Sequence, residues 1–346
     1  MITLSDNSSQ DQSWQWHLQN AIKTIPALAS HLGVQLDEID QNFPLLAPLP
    51  YLDRIVTSDV SDPLLLQILP RSQENESGPQ YLKDPLQERT LITPTRGLIQ
   101  KYNGRALVIT TGACAINCRY CFRRHFPYGD NNPSSSDWAA IYRHLSSDPS
   151  LSEVILSGGD PLILSDRLLS DITNQLDFIE TIDTIRLHTR LPVVIPQRIC
   201  HELLDWVNRS NKKVVFVLHT NHPNELDDHV VDAFSALRDA GAILLNQSVL
   251  LRDINNSPEV LVKLSRQLFD AGVLPYYLHL LDPVAGAQHF DVPRRPQGRV
   301  SFTRRNRTEP RTGRADCPCP SLLAPLQARQ RVHCVFVTCR PTLGGS

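Results

Sequence analysis

The sequence predicts an α/β protein, a partial (β/α)6 barrel preceded by an N-terminal helical extension. Three observations predict it. Short, almost continuously apolar runs occupy residues 105–111, 153–157, 184–189, 214–220, 242–250 and 274–281. Amphipathic stretches at 137–145, 166–179, 201–208, 225–240 and 258–271 separate them. After the first pair, strand starts recur about every 30 residues, the length of a βα unit. Near-continuous apolar strands joined by crossover helices belong to a parallel sheet covered by helices. An open doubly wound sheet holding a dinucleotide would need a glycine-rich phosphate loop after its first strand. Thr110-Thr111-Gly112-Ala113 is not such a loop.

Length and composition agree. The chain has 346 residues and is 41% hydrophobic, enough for one large domain with an appendage. Its start is polar, without the basic and apolar blocks of a signal peptide. No run approaches the roughly 18 apolar residues of a membrane span, so a cytoplasmic protein without a membrane partner is expected. Three blocks are expected: an extension over 1–98, the barrel over 99–291 and a dissimilar tail over 292–346. In the extension, Trp14, Leu18, Ile22, Ile25, Leu28 and Leu32 share one face, which predicts a helix over 14–32. The Pro-, Asp- and Leu-rich stretch from 43 to 94 predicts short helices and loops wrapped round something larger.

The strongest chemical signal follows the first strand: Cys114-Ala-Ile-Asn-Cys118-Arg-Tyr-Cys121. Clustered cysteines in a long chain of this kind read as metal ligands. A fully ligated iron–sulfur cubane takes four ligands, so three leave one iron open. The alternative is zinc, with His125 completing a Cys3His set. Barrel chemistry sits on the loops after the C-terminal strand ends, which favours the cluster. The second strand ends in Ser157-Gly158-Gly159-Asp160, where two glycines let the backbone approach a ligand closely. His219 and His222 stand near another strand end without a third evident metal ligand. Cys200 is solitary and reads as a core residue.

Cys-x3-Cys-x2-Cys with Tyr120 before the last cysteine resembles the radical S-adenosylmethionine signature. The further segments narrow the resemblance to the lysine 2,3-aminomutase family, over roughly residues 12–291. These are Cys121-Phe-Arg123-Arg-His, Lys101-Tyr102-Asn-Gly-Arg105, Arg186-Leu-His-Thr-Arg190-Leu-Pro, His219-Thr-Asn-His222-Pro-Asn-Glu225, Asn246-Gln247-Ser and Leu281-Asp282-Pro. Trp14-Gln-Trp, Asn42-Phe-Pro and Asp62-Pro-Leu-Leu-Leu-Gln resemble its short bacterial subgroup, which serves β-lysylation of elongation factor P.

The resemblance implies a [4Fe-4S] cluster on Cys114, Cys118 and Cys121, with S-adenosylmethionine on the open iron. It implies cofactor contacts from Tyr120, Ser157, Gly158, Gly159, Asp160, His219 and Gln247. Lys101, Tyr102 and Arg105 take the pyridoxal 5′-phosphate positions. Arg123 takes the substrate carboxylate and Asp282 the distal ammonium of lysine, pairings that suit their charges. The implied reaction isomerises (S)-α-lysine to (R)-β-lysine. The implied partners are elongation factor P with its lysine ligase, and a reductant such as flavodoxin or ferredoxin. A homo-oligomer is compatible with this.

The family pattern stops near Asp291. No lysine occurs after Lys263, although the family anchors pyridoxal phosphate covalently on one. Arginine cannot replace it, since guanidinium stays protonated and is a poor nucleophile. Residues 1–291 hold 23 basic and 34 acidic side chains, whereas 292–346 hold eleven arginines, Glu309 and Asp316. The switch reads as translation out of frame after about Val292. Two other readings stay open: a basic disordered tail that binds RNA or a partner, and a second metal site from Cys317, Cys319, Cys334 and Cys339 with His333. The expectation is an aminomutase impaired by the missing lysine, with nucleic acid not among its partners.

Overall fold

The computed structural model describes residues 12–39 and 42–293. The tail from residue 294, with the out-of-frame, basic-tail and second-metal readings that fall on its arginines, cysteines and His333, lies outside the described residues.

The extension begins with two helices where periodicity predicted one. Ser13 caps α1 (Trp14–Gln19), and Thr24 caps α2 (Ile25–Leu32), which closes on Gly33 at φ 65°. Pro26 explains the break. It lacks an N–H and is tolerated only in a first turn, so a second helix must start just before it. The freed Ile22 exchanges two backbone hydrogen bonds of 2.7 and 2.9 Å with Ala47. The one-turn helices α3 (Leu49–Leu52) and α4 (Pro63–Leu66) follow, each with proline in its first two positions. Asp62 starts α4 by accepting the amides of Leu64 and Leu65, and its other oxygen takes that of Val56.

Seven strands form one sheet in chain order: β1 (Leu98–Tyr102), β2 (Arg105–Thr111), β3 (Glu153–Gly158), β4 (Thr184–Thr189), β5 (Lys213–His219), β6 (Ile243–Leu250) and β7 (Leu274–Leu280). From β2 to β7 every pairing is parallel, as six apolar strands with crossovers require. The six predicted strands appear within about one residue of the predicted ends. The added β1 pairs antiparallel with β2 through a turn at Gly104, whose φ is 78°. Its five residues lack an apolar alternation strong enough to mark it.

Helices α5 (Tyr128–Asn131), α6 (Ser135–Ser147), α7 (Asp166–Asp177), α8 (Leu191–Val194), α9 (His201–Arg209), α10 (Asp228–Asp239) and α11 (Pro258–Asp270) fill the connections. Ser134, Ser165, Asp227 and Ser257 cap the four long crossovers α6, α7, α10 and α11. Alternation along the strands sorts the side chains. Phe216 of β5 faces the helices and stacks on Trp206 of α9 at 6.5 Å. Val215 and Val217 of β5 pack inside with Leu245 of β6 and Tyr276 of β7.

The extension shares the main core. One apolar cluster runs from Trp14, Leu28, Leu64 and Leu65 through Val108, Val154 and Leu187 to Val273. The extension also bridges the two sheet edges. Leu82 pairs with Val284 after β7, Tyr81 donates to Asp291 at 2.8 Å, and Ile92 pairs with Ile99 of β1. Leu65 is fully buried, so Leu65→Ala should cost about 2–5 kcal/mol. Chemical denaturation should show one transition for extension and barrel together. Two separated transitions in the wild-type protein would contradict a shared core.

Candidate active site at the cysteine loop

Cys114, Cys118 and Cys121 lie on the loop between β2 and α5, at the C-terminal end of the barrel. Three sets of contacts hold that loop. The first comes from β3: Gly159 donates to Thr111 O at 2.7 Å and Asp160 to Ala113 O at 2.9 Å. The approach excludes side chains. A Cβ on Gly159 would lie 2.2 Å from Ala113 O, and one on Gly158, at φ 126°, would lie 2.4 Å from Thr111 O. The close approach expected toward a ligand is thus made first to the cysteine loop.

The second set comes from the extension. Asn117 donates to Leu46 O and Arg119 to Gln67 O through their backbone amides. Glu74 binds Arg119 Nε at 2.7 Å and Arg124 Nη2 at 2.7 Å. Burial alone would raise the Glu74 carboxyl, but its ion pairs with Arg119 and Arg124 outweigh burial and hold it below the usual range.

The third set joins the loop to β4 and β5. Arg190, just past β4, points Nη1 at Cys118 Sγ, 2.8 Å away. Its Nη2 donates to Gln67 Oε1 and Glu225 Oε2 at 2.7 and 2.9 Å. Tyr120 joins the same network, accepting from Asn221 Nδ2 at 2.7 Å and resting edge-on against Phe290.

Burial pushes the Cys121 thiol up to about 11, with the charge of Cys118 adding to it. Burial likewise raises Cys114, with Cys121, Asp160 and Cys118 behind it. Thiols crowded among themselves ionise together only when cations compensate them, which is the condition a metal cluster meets. Among the described residues no three His, Cys, Asp or Glu side chains stand at the spacing of one metal ion. A cubane binds each cysteine to a separate iron and so tolerates wider thiols. Zinc would need His125, whose Nε2 instead meets Ala285 O at 3.0 Å. The donor set fits an iron–sulfur cluster.

The other predicted residues divide into groups. Ser157 and Gly158 meet Arg123, whose Nη1 donates to Ser157 Oγ at 2.9 Å and to Gly158 O at 3.4 Å. Both remaining faces of Arg123 are taken by Glu88 of the extension, at 2.8 Å each. Asp160 is a fastener. Its carboxylate accepts from Leu162 N, Thr189 Oγ1, Arg190 N and Leu191 N. His219 and Gln247 meet across β5 and β6, their Nε2 atoms 2.7 Å apart, with the His188 ring edge-on at 6.0 Å. Burial, reinforced by the Arg190 charge, lowers His219 to about 3 and keeps it neutral. His222 does not join it; its Nδ1 caps Asn224 N.

Asp282, just after β7, is pushed up to about 6 by burial, with Glu88 adding and Lys101 opposing. Lys101, Tyr102 and Arg105 gather at the β1–β2 turn, from which the charge of Lys101 reaches Asp282. Lys101 Nζ lies 5.7 Å from the Tyr102 ring centre, and Arg105 Nε lies 3.1 Å from Glu153 Oε2. Glu153 also pairs with Arg186. Glu74, Glu88, Gln67 and Glu153 were not singled out in the sequence. Gln67 closes the Asp62-Pro-Leu-Leu-Leu-Gln segment but was not read as a contact, the three glutamates sit in no quoted motif, and only the fold brings all four to the arginines they hold.

The Glu74 clamp carries a sign. Its folded value is lowered, so its stabilisation is full above its unfolded value and drains as pH falls through the lower folded one. In thermal unfolding, the advantage of wild type over Glu74→Gln should shrink from pH 7 to pH 3. An advantage that holds or widens toward acid would rule the clamp out.

No protein-family model matches the chain. Individual relatives do. It is 42% identical over 299 residues to L-lysine 2,3-aminomutase of Escherichia coli strain K12, covering 84% of this chain and 86% of that one. It is 40% identical over 287 residues to the Haemophilus influenzae L-lysine 2,3-aminomutase, covering 81% and 85%. It is 34% identical over 288 residues to that of Clostridium subterminale, covering 81% and 68%. Among solved structures, Streptococcus suis SuiB bound to precursor peptide SuiA matches at TM-score 0.43 and 13% identity, over 56% of this chain and 43% of that one. The cysteine loop, its strand-end glycines and these identities over most of the chain place the protein in the lysine 2,3-aminomutase family of radical S-adenosylmethionine enzymes.

Proposed function

We propose that the chain binds a [4Fe-4S] cluster through Cys114, Cys118 and Cys121, binds S-adenosylmethionine on it, and acts on lysine as an isomerase. Its product would be (R)-β-lysine for modification of elongation factor P, with a flavodoxin or ferredoxin as electron donor in the cytoplasm. One observation carries this reading: the three thiols follow the C-terminal end of β2 on a loop that also carries Arg123, and Glu88, which holds Arg123, also acts on Asp282 by its charge. The chemistry that a reduced cluster with S-adenosylmethionine supplies is homolytic hydrogen abstraction, and pyridoxal phosphate would supply conjugation for the migrating nitrogen.

The residues of the chain position and shield. Asp282 offers a half-buried carboxylate to an ammonium group. Arg123 offers a planar fork to a carboxylate, but Glu88 now fills that fork. A substrate carboxylate reaches Arg123 by displacing Glu88, which ties binding to movement of the 88–90 turn. Neutral His219, held by Gln247, lines the wall between β5 and β6. Water exclusion falls to the extension segments that bridge Leu82 to Val284 and Ile92 to Ile99.

The pyridoxal phosphate reading rests on charge. Arg105 and Arg186 converge on the single carboxylate of Glu153, which leaves an excess of positive charge beside Lys101 for a phosphate. The covalent anchor is the weak point. The last lysine, Lys263, lies on the outer helix α11, and none follows it in sequence. We infer that cofactor retention and aminomutase turnover are impaired while the radical-generating half is intact.

Anaerobic reconstitution of the full chain with iron and sulfide tests both halves. The expected result is a brown protein that forms 5′-deoxyadenosine from S-adenosylmethionine under reduction, with little β-lysine by amino-acid analysis. Cys118→Ala should lose the cluster and that cleavage. Absence of 5′-deoxyadenosine from iron-loaded protein would sink the radical reading, and full conversion of lysine would sink the anchor argument.

Asp282 gives a separate test. An ammonium needs its ionised form, so lysine affinity by calorimetry should fall as pH drops through about 6. Asp282→Asn should bind more weakly and flatten that profile. A wild-type affinity that is constant from pH 5 to pH 8 excludes the pairing.

A further inference from the structure

Arg190 is 4% exposed and sits among the cysteine loop, the extension and β5. Its guanidinium is built into place from three sides. Nη2 is held by Gln67 Oε1 and Glu225 Oε2, with the Tyr51 hydroxyl at 3.4 Å. Its carbon lies 5.4 Å from the Tyr51 ring centre and 5.7 Å from that of Tyr120. Its backbone amide is fixed by Asp160 at 2.8 Å. Glu225 is itself immovable. It is fully buried, and its Oε1 accepts from Asn221 N, His222 N and Gln67 Nε2 at 2.9, 3.0 and 3.2 Å. This frame aims Nη1 at Cys118 Sγ, while Nε is buried without a hydrogen-bond partner.

We infer that Arg190 is a positioning residue for the iron–sulfur cluster, donating a hydrogen bond to the Cys118 sulfur, and that Glu225 balances its charge so that the pair sets the cluster's reduction potential. The inference rests on the reading of Cys114, Cys118 and Cys121 as cluster ligands. A hydrogen bond to a ligand sulfur stabilises the electron-richer, reduced cluster and so raises its potential. A fixed positive charge acts in the same direction, and a buried carboxylate beside it opposes that. A lysine could supply the charge but not the two-sided fork that ties Glu225 to Cys118.

The consequence is a pair of opposite shifts. Loss of the donor in Arg190→Gln should lower the potential. Loss of the opposing charge in Glu225→Gln, which retains an oxygen in place of Oε1, should raise it. Arg190→Lys should fall between Arg190→Gln and wild type. Each glutamine variant should change the ratio of oxidised to reduced cluster at a fixed potential by about tenfold, about 59 mV for a one-electron couple.

The experiment is a redox titration of the reconstituted full chain followed by electron paramagnetic resonance, with iron and sulfide content measured alongside. A general loosening of the loop would change cluster content or move the variants the same way, so opposite signs separate tuning from structural damage. Titrations that coincide with wild type, or that move together, overturn the inference. Should the Arg190 variants fail to hold a cluster, Glu225→Gln alone decides, since a lowered or unchanged potential there is equally fatal. Wild-type protein that takes up no iron or sulfide removes the cluster reading itself, and this inference with it, at a stage distinct from any shift in potential.

Discussion

The approach of β3 to the cysteine loop is the constraint on which the rest of the site depends. Two backbone hydrogen bonds, from Gly159 and Asp160, fasten Thr111 and Ala113 to the end of the neighbouring strand. They form only because neither Gly158 nor Gly159 carries a Cβ. Once β3 is there, the next residue is fixed as well. Asp160 must turn its carboxylate to the amides of Leu162, Arg190 and Leu191, and this carries the geometry of the loop to the end of β4. Arg190 is thereby set opposite Cys118. A chain of short-range contacts thus links three successive strand ends.

The charges at the mouth follow a second rule. Arginines of the cysteine loop are each answered by a carboxylate from elsewhere in the chain: Arg119 and Arg124 by Glu74, Arg123 by Glu88. Arg190 is answered by Glu225. Both partners in these pairs are largely withdrawn from water, so each pair costs desolvation that its attraction roughly repays. Net stability is therefore a poor reason for them. Geometry is the better one, because an unpaired arginine there would be strongly unfavourable and each carboxylate admits one placement of its fork. The extension supplies two of the three carboxylates, which gives it a function at the mouth beyond burying Leu64 and Leu65.

What the sequence showed and hid can be separated on physical grounds. The six parallel strands were legible because burial on both faces writes itself as apolar runs, and the crossovers because burial on one face writes itself as helical spacing. The cysteine triplet was legible because its spacing is local. The helix over 14–32 was misjudged because apolar spacing continues across a gap that Pro26 imposes. β1 was missed because a short edge strand needs little apolar surface. Glu74 and Glu88 were invisible for another reason. They act on arginines 45 and 35 positions away, and nothing local distinguishes them from any exposed glutamate. Asp160 was noticed but for its place beside two glycines, whereas its carboxylate is committed to the protein's own amides.

The two ends of the barrel make different demands on the chain. At the cysteine end, the three thiols, the loop anchors, the counter-charges and Arg190 are all described residues from positions before 230. At the starts of β2, β3 and β4, Arg105 and Arg186 share the carboxylate of Glu153. The proposed loss of amino-group migration would leave radical generation intact for that reason: the contacts around the cysteines are ones the fold makes for itself, whereas a cofactor held by charge alone would exchange with solvent as a covalently anchored one does not.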